Sequence, residues 1–271
     1  MRGASVREAL DSALVALSAS RLDTPRLDAE VLLAHAMGTD RTRLFLDPDA
    51  PVEGPAVRAF RDAVRRRSVL REPVAYITGT KGFRRLDLAV DRRVLVPRPE
   101  TELLVEWAGE VLPRGARVVD VGTGSGAIAL ALKDERPDLT VVGTDASAGA
   151  LEVARANGAR LGLDVTWVHG DLLAGQPADA VVSNPPYVEA GTPLAPELGH
   201  EPDEALFAGP EGLEVYERLV PQACASGARW LCLEVGEGQA ARVRALLPAG
   251  WASDVRRDLA GIERAVAAWP S

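Results

Sequence analysis

The chain is poor in the residue types that build several whole classes of protein. Only two of its 271 residues are cysteine, Cys224 and Cys232, and they form no C-x-x-C pair. Nor do they cluster by spacing with the three histidines, His35, His169 and His200. This pattern argues against a disulfide framework and a zinc site, and it suits the reducing cytoplasm. No metal is expected. No stretch approaches the ~18 apolar residues of a membrane span, and the N-terminus lacks the apolar core of a signal peptide. Aromatic residues make up just 4% of the chain. Basic residues are outnumbered, 31 against 39 acidic, for a net charge of −8, which argues against a bulk nucleic-acid binder. The deficit is uneven. Residues 1–75 carry 12 basic against 11 acidic side chains and the remainder 19 against 28, so the acidity lies C-terminally. No internal repeat or low-complexity tract is present.

What is present is a chain 47% hydrophobic, long enough for one large domain or a small one plus a medium one. Residues 1–72 read as helical. Ser5 with Glu8 is a capping box ahead of Val6, Leu10, Ala13, Leu14 and Leu17 on one helical face. Thr24-Pro25 is an N-cap with proline at the first helical position, and Gly38 can close that helix. A third segment begins near Asp40, and a fourth at Pro55 ends in Arg65-Arg66-Arg67. Those arginines read as a solvated last turn complementing the helix dipole, with contact to an anionic partner as the alternative. Residues 73–98 change character. Val74-Ala75-Tyr76-Ile77 and Leu86-Asp87-Leu88-Ala89-Val90 alternate like strands around Gly79 and Gly82, a β-hairpin connecting two domains.

From residue 99 onward a helix follows Pro97-Arg98-Pro99-Glu100-Thr101-Glu102, and strands then alternate with helices. Strands are expected at 117–121, 141–144, 165–169, 180–183 and 230–235, with an antiparallel pair at 251–257 and 264–269. Helices are expected at 151–161, around Leu213, Tyr216, Val220 and Ala223, and at 239–247. Such alternation implies a mainly parallel sheet covered by helices on both faces.

Two stretches carry chemistry. Gly122-x-Gly124-x-x-Ala127 follows the first of these strands, and Asp145 ends the second, 21 residues after Gly124. Glycines admit a ligand to the backbone, and a carboxylate at that spacing accepts ribose hydroxyls. Both features serve NAD and S-adenosylmethionine alike. The second stretch is Val181-Val182-Ser183-Asn184-Pro185-Pro186-Tyr187. Two prolines stop the strand, and Asn184 before a proline is biased to extended backbone. The result is a stiff corner rich in acceptors, without a strong base. It suits a planar –NH2 group, whose hydrogens the Asn184 amide oxygen and a backbone carbonyl can take. Asn-Pro-Pro-Tyr is the motif of the amino-group methyltransferases, and with Asp171 after the third strand it favours the sulfonium cofactor over NAD.

The ordered set resembles one family. It comprises the stretch from Pro97 through Glu102, Asp120-Val121-Gly122-Thr123-Gly124-Ser125-Gly126-Ala127-Ile128, Ser183-Asn184-Pro185-Pro186-Tyr187 and Glu201-Pro202. Ala205-Leu206-Phe207 with Gly209, Gly212-Leu213 and Tyr216 also fits, as does Glu234-Val235-Gly236 with Gln239. The chain is similar to the peptide chain release factor glutamine methyltransferases from about Val74 onward, and its helical N-terminal part has the family's size. The resemblance implies an α/β fold: a Rossmann-like, seven-stranded S-adenosylmethionine-dependent methyltransferase sheet. It further implies a helical domain, 1–72, that helps to dock the substrate, a connector at 73–98 and a catalytic domain at 99–271. The substrate would be the glutamine of the Gly-Gly-Gln loop of class 1 release factors, methylated on its amide nitrogen to tune translation termination.

Carried over by position, Gly122, Thr123, Gly124, Ser125 and Gly126 border the methionine part of the cofactor. Asp145 holds the ribose, and Asp171 with Leu172 the adenine. Asn184 and Pro185 take the amide hydrogens beside Pro186, Tyr187 packs on the amide, and Asn184 also borders the cofactor. Pro97, Arg98, Pro99, Glu100 and Thr101 wall the acceptor pocket. The resemblance implies S-adenosylhomocysteine as product, a monomer, and no need for nucleic acid or membrane. A methyltransferase acting on adenine or guanine in nucleic acid is the main rival, disfavoured by the acidity and the scarcity of aromatics. A module that binds without catalysing would be expected to degrade the corner or the glycine loop, and both are intact. A NAD oxidoreductase would want a proton relay near the corner, where His169 and His200 are the nearest candidates and read as structural.

Overall fold

The computed structural model describes residues 4–271, which divide into two compact units. One runs up to Gly79 and includes Leu194–His200; the other comprises Thr80–Pro193 and Glu201–Ser271.

The first unit is helical. Helix α1 (Val6–Ala19) starts with the capping box: the Ser5 hydroxyl accepts the Glu8 N–H and the Glu8 carboxylate accepts the Ser5 N–H at 2.8 Å. Helix α2 (Pro25–Met37) has proline in its first turn and closes on Gly38 at φ +64°. The Thr24 hydroxyl accepts no backbone N–H of the first turn and donates to the Asp28 carboxylate at 2.9 Å, while the Thr24 carbonyl accepts the Asp28 N–H. Asp40 caps α3 (Arg41–Leu46), and α4 (Pro55–Ser68) follows. Leu17, Leu32, Leu33 and Phe60 lie in the core of the unit. Two expectations need correction. Val74-Ala75-Tyr76-Ile77 is not a strand but helix α5 (Val74–Thr78), set between Pro73 and a left-handed Gly79. The arginine run lies in the last turn of α4 and Arg65 is exposed, but its two neighbours are paired and not simply solvated. Arg66 pairs with Glu72 at 2.7 Å, and Arg67 with Asp28 at 2.6 Å and Glu197 at 3.1 Å. Arg67 and Asp28 are 11% and 8% exposed, so this ion pair is internal.

The second unit opens with a hairpin, β1 (Thr80–Phe83) and β2 (Leu86–Ala89). Its first strand starts at Thr80, beyond the stretch expected for it, and the hairpin belongs to this unit instead of forming a separate connector. Asn157 holds it in place, accepting the Ala89 N–H and donating to the Ala89 carbonyl at 2.8 and 2.9 Å. Then come α6 (Glu102–Val111), β3 (Arg117–Val121), α7 (Ala127–Glu135), β4 (Thr140–Asp145), α8 (Ala148–Leu161) and β5 (Thr166–His169). They are followed by β6 (Ala180–Ser183), a small pair β7 (Val188–Glu189) and β8 (Phe207–Gly209), α9 (Glu214–Ala225), β9 (Trp230–Glu234), α10 (Ala240–Arg244), β10 (Trp251–Arg257) and β11 (Glu263–Pro270).

Seven strands form one sheet in the order β10-β11-β9-β6-β3-β4-β5. The pairs from β9 through β5 are parallel, and β10–β11 and β11–β9 are antiparallel. Helices α6 and α7 feed the core on one face, α9 and α10 the core on the other. Beta-branched residues fill the central strands, as expected where a sheet is buried on both faces: Val118, Val119, Val181 and Val182 have no exposed surface. The chain runs outward from β3 to β4 and β5, then returns to β6 on the other side of β3. The order therefore reverses between β3 and β6, where α/β sheets open a crevice at the carboxyl ends of their strands. Val121 and Ser183, the last residues of these strands, are register partners. The glycine loop and the Asn-Pro-Pro-Tyr corner consequently leave the sheet side by side. Among the described residues, no helix is long and apolar enough to cross a membrane.

Candidate active site

The loop after β3 is shaped by its glycines. Gly122 and Gly124 have φ +70° and +56°, and a Cβ on either would project into open space. Asp145 ties this loop to the end of β4, accepting the Gly124 N–H and the Ser147 N–H at 2.8 Å each. Burial pushes the Asp145 carboxyl up, against the pull of those two N–H groups. Beneath the loop, fully buried Asp120 accepts the Thr123 hydroxyl at 2.5 Å and the Ala129 N–H at 3.1 Å through one oxygen. Its other oxygen, Oδ1, has no hydrogen-bond partner, and burial pushes the carboxyl up to about 7.

A cleft of about 230 Å³ lies over the switch point. Of the residues expected at the cofactor, Gly122, Gly124, Asp145, Asp171, Leu172 and Asn184 line it. Thr123, Ser125 and Gly126 do not. Thr123 is turned inward to Asp120, the Ser125 carbonyl accepts from Asn157, and Gly126 is packed so that a Cβ would crowd Leu130 and Trp167. Asp171 is exposed at the rim, where it pairs with Arg218 of α9. Arg93, Leu95, Glu204, Val215 and Arg218 also line the cleft, and sequence reasoning missed them. No local motif marks them; only the folded chain gathers them. A larger cleft of about 430 Å³ in the first unit, between α1 and α4, is mostly apolar. Its single carboxylate, Glu8, is used in the helix cap, so volume does not locate the chemistry.

At the corner, Asn184 is half-buried and its Nδ2 donates to the Thr101 hydroxyl oxygen at 3.1 Å. Thr101 in turn donates to the Glu234 carboxylate at 2.6 Å. Glu201 fixes the strap leading to Thr101, accepting the Val96 N–H at 2.9 Å and an Arg98 N–H at 2.5 Å. Of the five residues expected to wall the acceptor pocket, Thr101 reaches the corner, Arg98 is held by Glu201, and Pro97 is buried. Pro99 and Glu100 line a separate cleft with Leu103, Arg257 and Leu259. Pro185 and Pro186 line the main cleft, whereas Tyr187 is packed behind it. The Tyr187 carbonyl accepts from Gln239, and burial pushes its phenol up to about 12. Gly212 and Gly236 make room for this arrangement. A Cβ at Gly212 would meet the Tyr187 carbonyl at 2.7 Å, and one at Gly236 the Tyr187 ring at 3.0 Å. His169 donates to the Ala146 carbonyl and His200 to the Leu70 carbonyl, so neither offers a proton relay at the corner.

These residues fit a ligand with a cationic amino acid end and a ribose. The lone buried oxygen of Asp120 wants a donor, the bare backbone at Gly122 and Gly124 admits close approach, and Asp145 keeps lone pairs for hydroxyls.

Comparison with known proteins points the same way. The family model for the PrmC N-terminal domain matches residues 8–79, and that for the methyltransferase small domain matches residues 99–209. The chain is 42% identical to the release factor glutamine methyltransferase of Deinococcus radiodurans, over 97% of this chain and 98% of that one. It is 41% identical to the enzyme of the same name from Mycolicibacterium smegmatis, over 97% of both. A solved methyltransferase from Pyrococcus furiosus, 18% identical, superposes with a TM-score of 0.52 over 68% of this chain and 88% of that one, which supports the fold. The chain belongs to the release factor glutamine methyltransferase family.

Proposed function

We propose that this S-adenosylmethionine-dependent glutamine methyltransferase takes the side-chain amide of its substrate at the Asn184–Pro185 corner. The substrate is the glutamine of the Gly-Gly-Gln loop of class 1 peptide chain release factors, in the cytoplasm, with the enzyme acting as a monomer and without nucleic acid. The observation that carries this reading is the orientation of Asn184. Its –NH2 is committed to Thr101, so its carbonyl oxygen is the atom left for a donor.

Bound S-adenosylmethionine supplies a methyl group on positively charged sulfur and leaves as S-adenosylhomocysteine. The loop residues Gly122 and Gly124, with Asp145, would hold that cofactor, and Asp171 and Leu172 would serve its adenine. An amide nitrogen is a poor nucleophile, because its lone pair is delocalised into the carbonyl. The Asn184 oxygen and the Pro185 carbonyl accept its two hydrogens and stabilise the positive character that grows on nitrogen. One of those hydrogens is then lost as a proton to solvent, so no general base is required.

The test offers labelled cofactor to purified release factor and to forms with the loop Gln changed to Ala or Glu, beside DNA and RNA. Label is expected on the unaltered factor alone. A glutamate has no hydrogens to give and would bring its charge against two carbonyl oxygens, uncompensated on burial. Label on the Gln→Glu form at that position, or on nucleic acid, overturns the reading. For the cofactor side, Asp145→Ala is expected to weaken S-adenosylhomocysteine binding about 10- to 100-fold, read by calorimetric titration. An affinity within twofold of wild type would remove Asp145 from this role.

A further inference from the structure

Glu234 has no part in the reading above, yet it is a 1% exposed carboxyl at the carboxyl end of β9, two hydrogen bonds from Asn184. Strands β9 and β6 are parallel neighbours, so their ends emerge together at the cleft. Thr101 sits between them at the close of the turn Pro99–Thr101, delivered by a strap that Glu201 pins.

We propose that Glu234 is a positioning residue for methyl transfer, fixing through Thr101 which way round the Asn184 amide stands. The inference rests on the role given to Asn184 above. A threonine hydroxyl has one hydrogen. An ionised Glu234 can only accept, so it takes that hydrogen, and Thr101 then shows Asn184 lone pairs alone. The amide must answer with its –NH2, which turns its oxygen to the substrate. The two faces of an amide are nearly equal in shape, so packing alone discriminates poorly between them. If Glu234 carries a proton or becomes glutamine, it can donate to the Thr101 oxygen. Thr101 is then free to donate to the Asn184 oxygen, and the flipped amide sets –NH2 against the –NH2 of the substrate.

The groups around Glu234 allow its charge to change near neutrality. Burial pushes its carboxyl up to about 7, opposed by the Thr101 hydroxyl and by Arg264 and Arg98, and reinforced by Glu100. Arg264 comes from β11, where it is also held by Asp258. From α9 the Tyr216 hydroxyl donates to the Glu234 backbone carbonyl, and Tyr187 faces it from beyond β6. Both phenols stay neutral because burial raises them. The carboxylate that Thr101 requires is the deprotonated form, so transfer should weaken as pH falls through about 7.

The experiment measures single-turnover methylation of release factor at saturating cofactor, from about pH 5.5 to 8.5. Saturation removes the contribution that Asp120, pushed up to about 7 by burial at the glycine loop, makes through cofactor affinity. Wild type, E234Q, T101V, T101S and N184A are compared, with S-adenosylhomocysteine affinity and thermal unfolding as controls for folding. E234Q and T101V should each lose about 10- to 100-fold in rate at high pH with cofactor affinity retained. The acid limb seen in wild type should vanish in E234Q, T101S should restore the rate, and T101V should add nothing to N184A. If N184A is slow while folded E234Q and T101V match wild type, the relay is refuted and the Asn184 reading survives. If N184A itself matches wild type, both fall. An acid limb that persists unchanged in E234Q also refutes the relay.

Discussion

Asn184→Ala is expected to lower the single-turnover rate of glutamine methylation roughly 10²–10³-fold, with a far smaller change in KM. The magnitude is that of removing one preorganised group aimed at charge that develops only in the transition state. In the ground state the substrate amide is a good hydrogen-bond donor that water or the neighbouring Pro185 carbonyl can serve, so binding changes little. As the carbon–nitrogen bond forms, the nitrogen becomes cationic, and the oxygen of Asn184 is worth most at that moment. The residue is held ready for this. It follows Ser183, whose hydroxyl donates to the Val121 carbonyl at 2.7 Å, and it precedes two prolines whose φ is fixed. Alanine keeps the corner and removes the acceptor. Rapid-quench measurements at saturating substrate check the prediction, and a loss below about fivefold would exclude Asn184 from stabilising the transferring nitrogen.

Arg67→Ala is expected to destabilise the helical unit by about 3–5 kcal/mol, the range for deleting one partner of a buried ion pair. The guanidinium lies between Asp28 at 2.6 Å and Glu197 at 3.1 Å, with both Arg67 and Asp28 about nine-tenths covered. Its removal leaves the Asp28 carboxylate buried without its cation, and Glu197 with Arg71 alone. Arg65→Ala, two positions earlier on the exposed side of α4, should change stability by no more than about 0.5 kcal/mol. Denaturant unfolding followed by far-ultraviolet circular dichroism compares the two. Equal losses would mean that the run acts as a patch of charge and not through one internal pair.

The sheet was readable because its strands are short valine-rich runs bounded by unmistakable stops. Residues 180–183 stand between Asp179 and Asn184-Pro185-Pro186, and the observed β6 has those limits. Residues 251–257 likewise reappear as β10, and the turn before its partner contains Gly261 at φ +79°. Five residues at 74–78 were too few to tell a period of two from one of 3.6. The apolar content of Val74, Tyr76 and Ile77 mimicked a strand, and the deciding signals were Pro73 before and Gly79 after. Arg67 illustrates another limit. Its partners are 39 and 130 residues distant, so a cluster of three like charges read locally as solvated. At the site, Asp145 and Asn184 were legible because one closes a strand and the other follows one, at the end where ligands gather. The resemblance named Thr101 and Glu234, but the link from Glu234 through Thr101 to Asn184, like the place of Arg218, comes only from strand order and helix placement, which no local spacing records.

The short piece Leu194–His200 is grouped with the helical unit although it lies far along the chain, inside the stretch between Pro193 and Glu201 that interrupts the other unit. The polypeptide thus passes between the two bodies three times, after Gly79, after Pro193 and after His200. A shortened chain that begins at residue 80 is consequently not a domain dissection. It strands Glu197 without Arg67 and Arg71, and His200 without the Leu70 carbonyl. The two bodies are therefore not beads that recombination could shuffle at a single splice point. Exchange of the helical part between relatives would have to carry this seven-residue graft along with it.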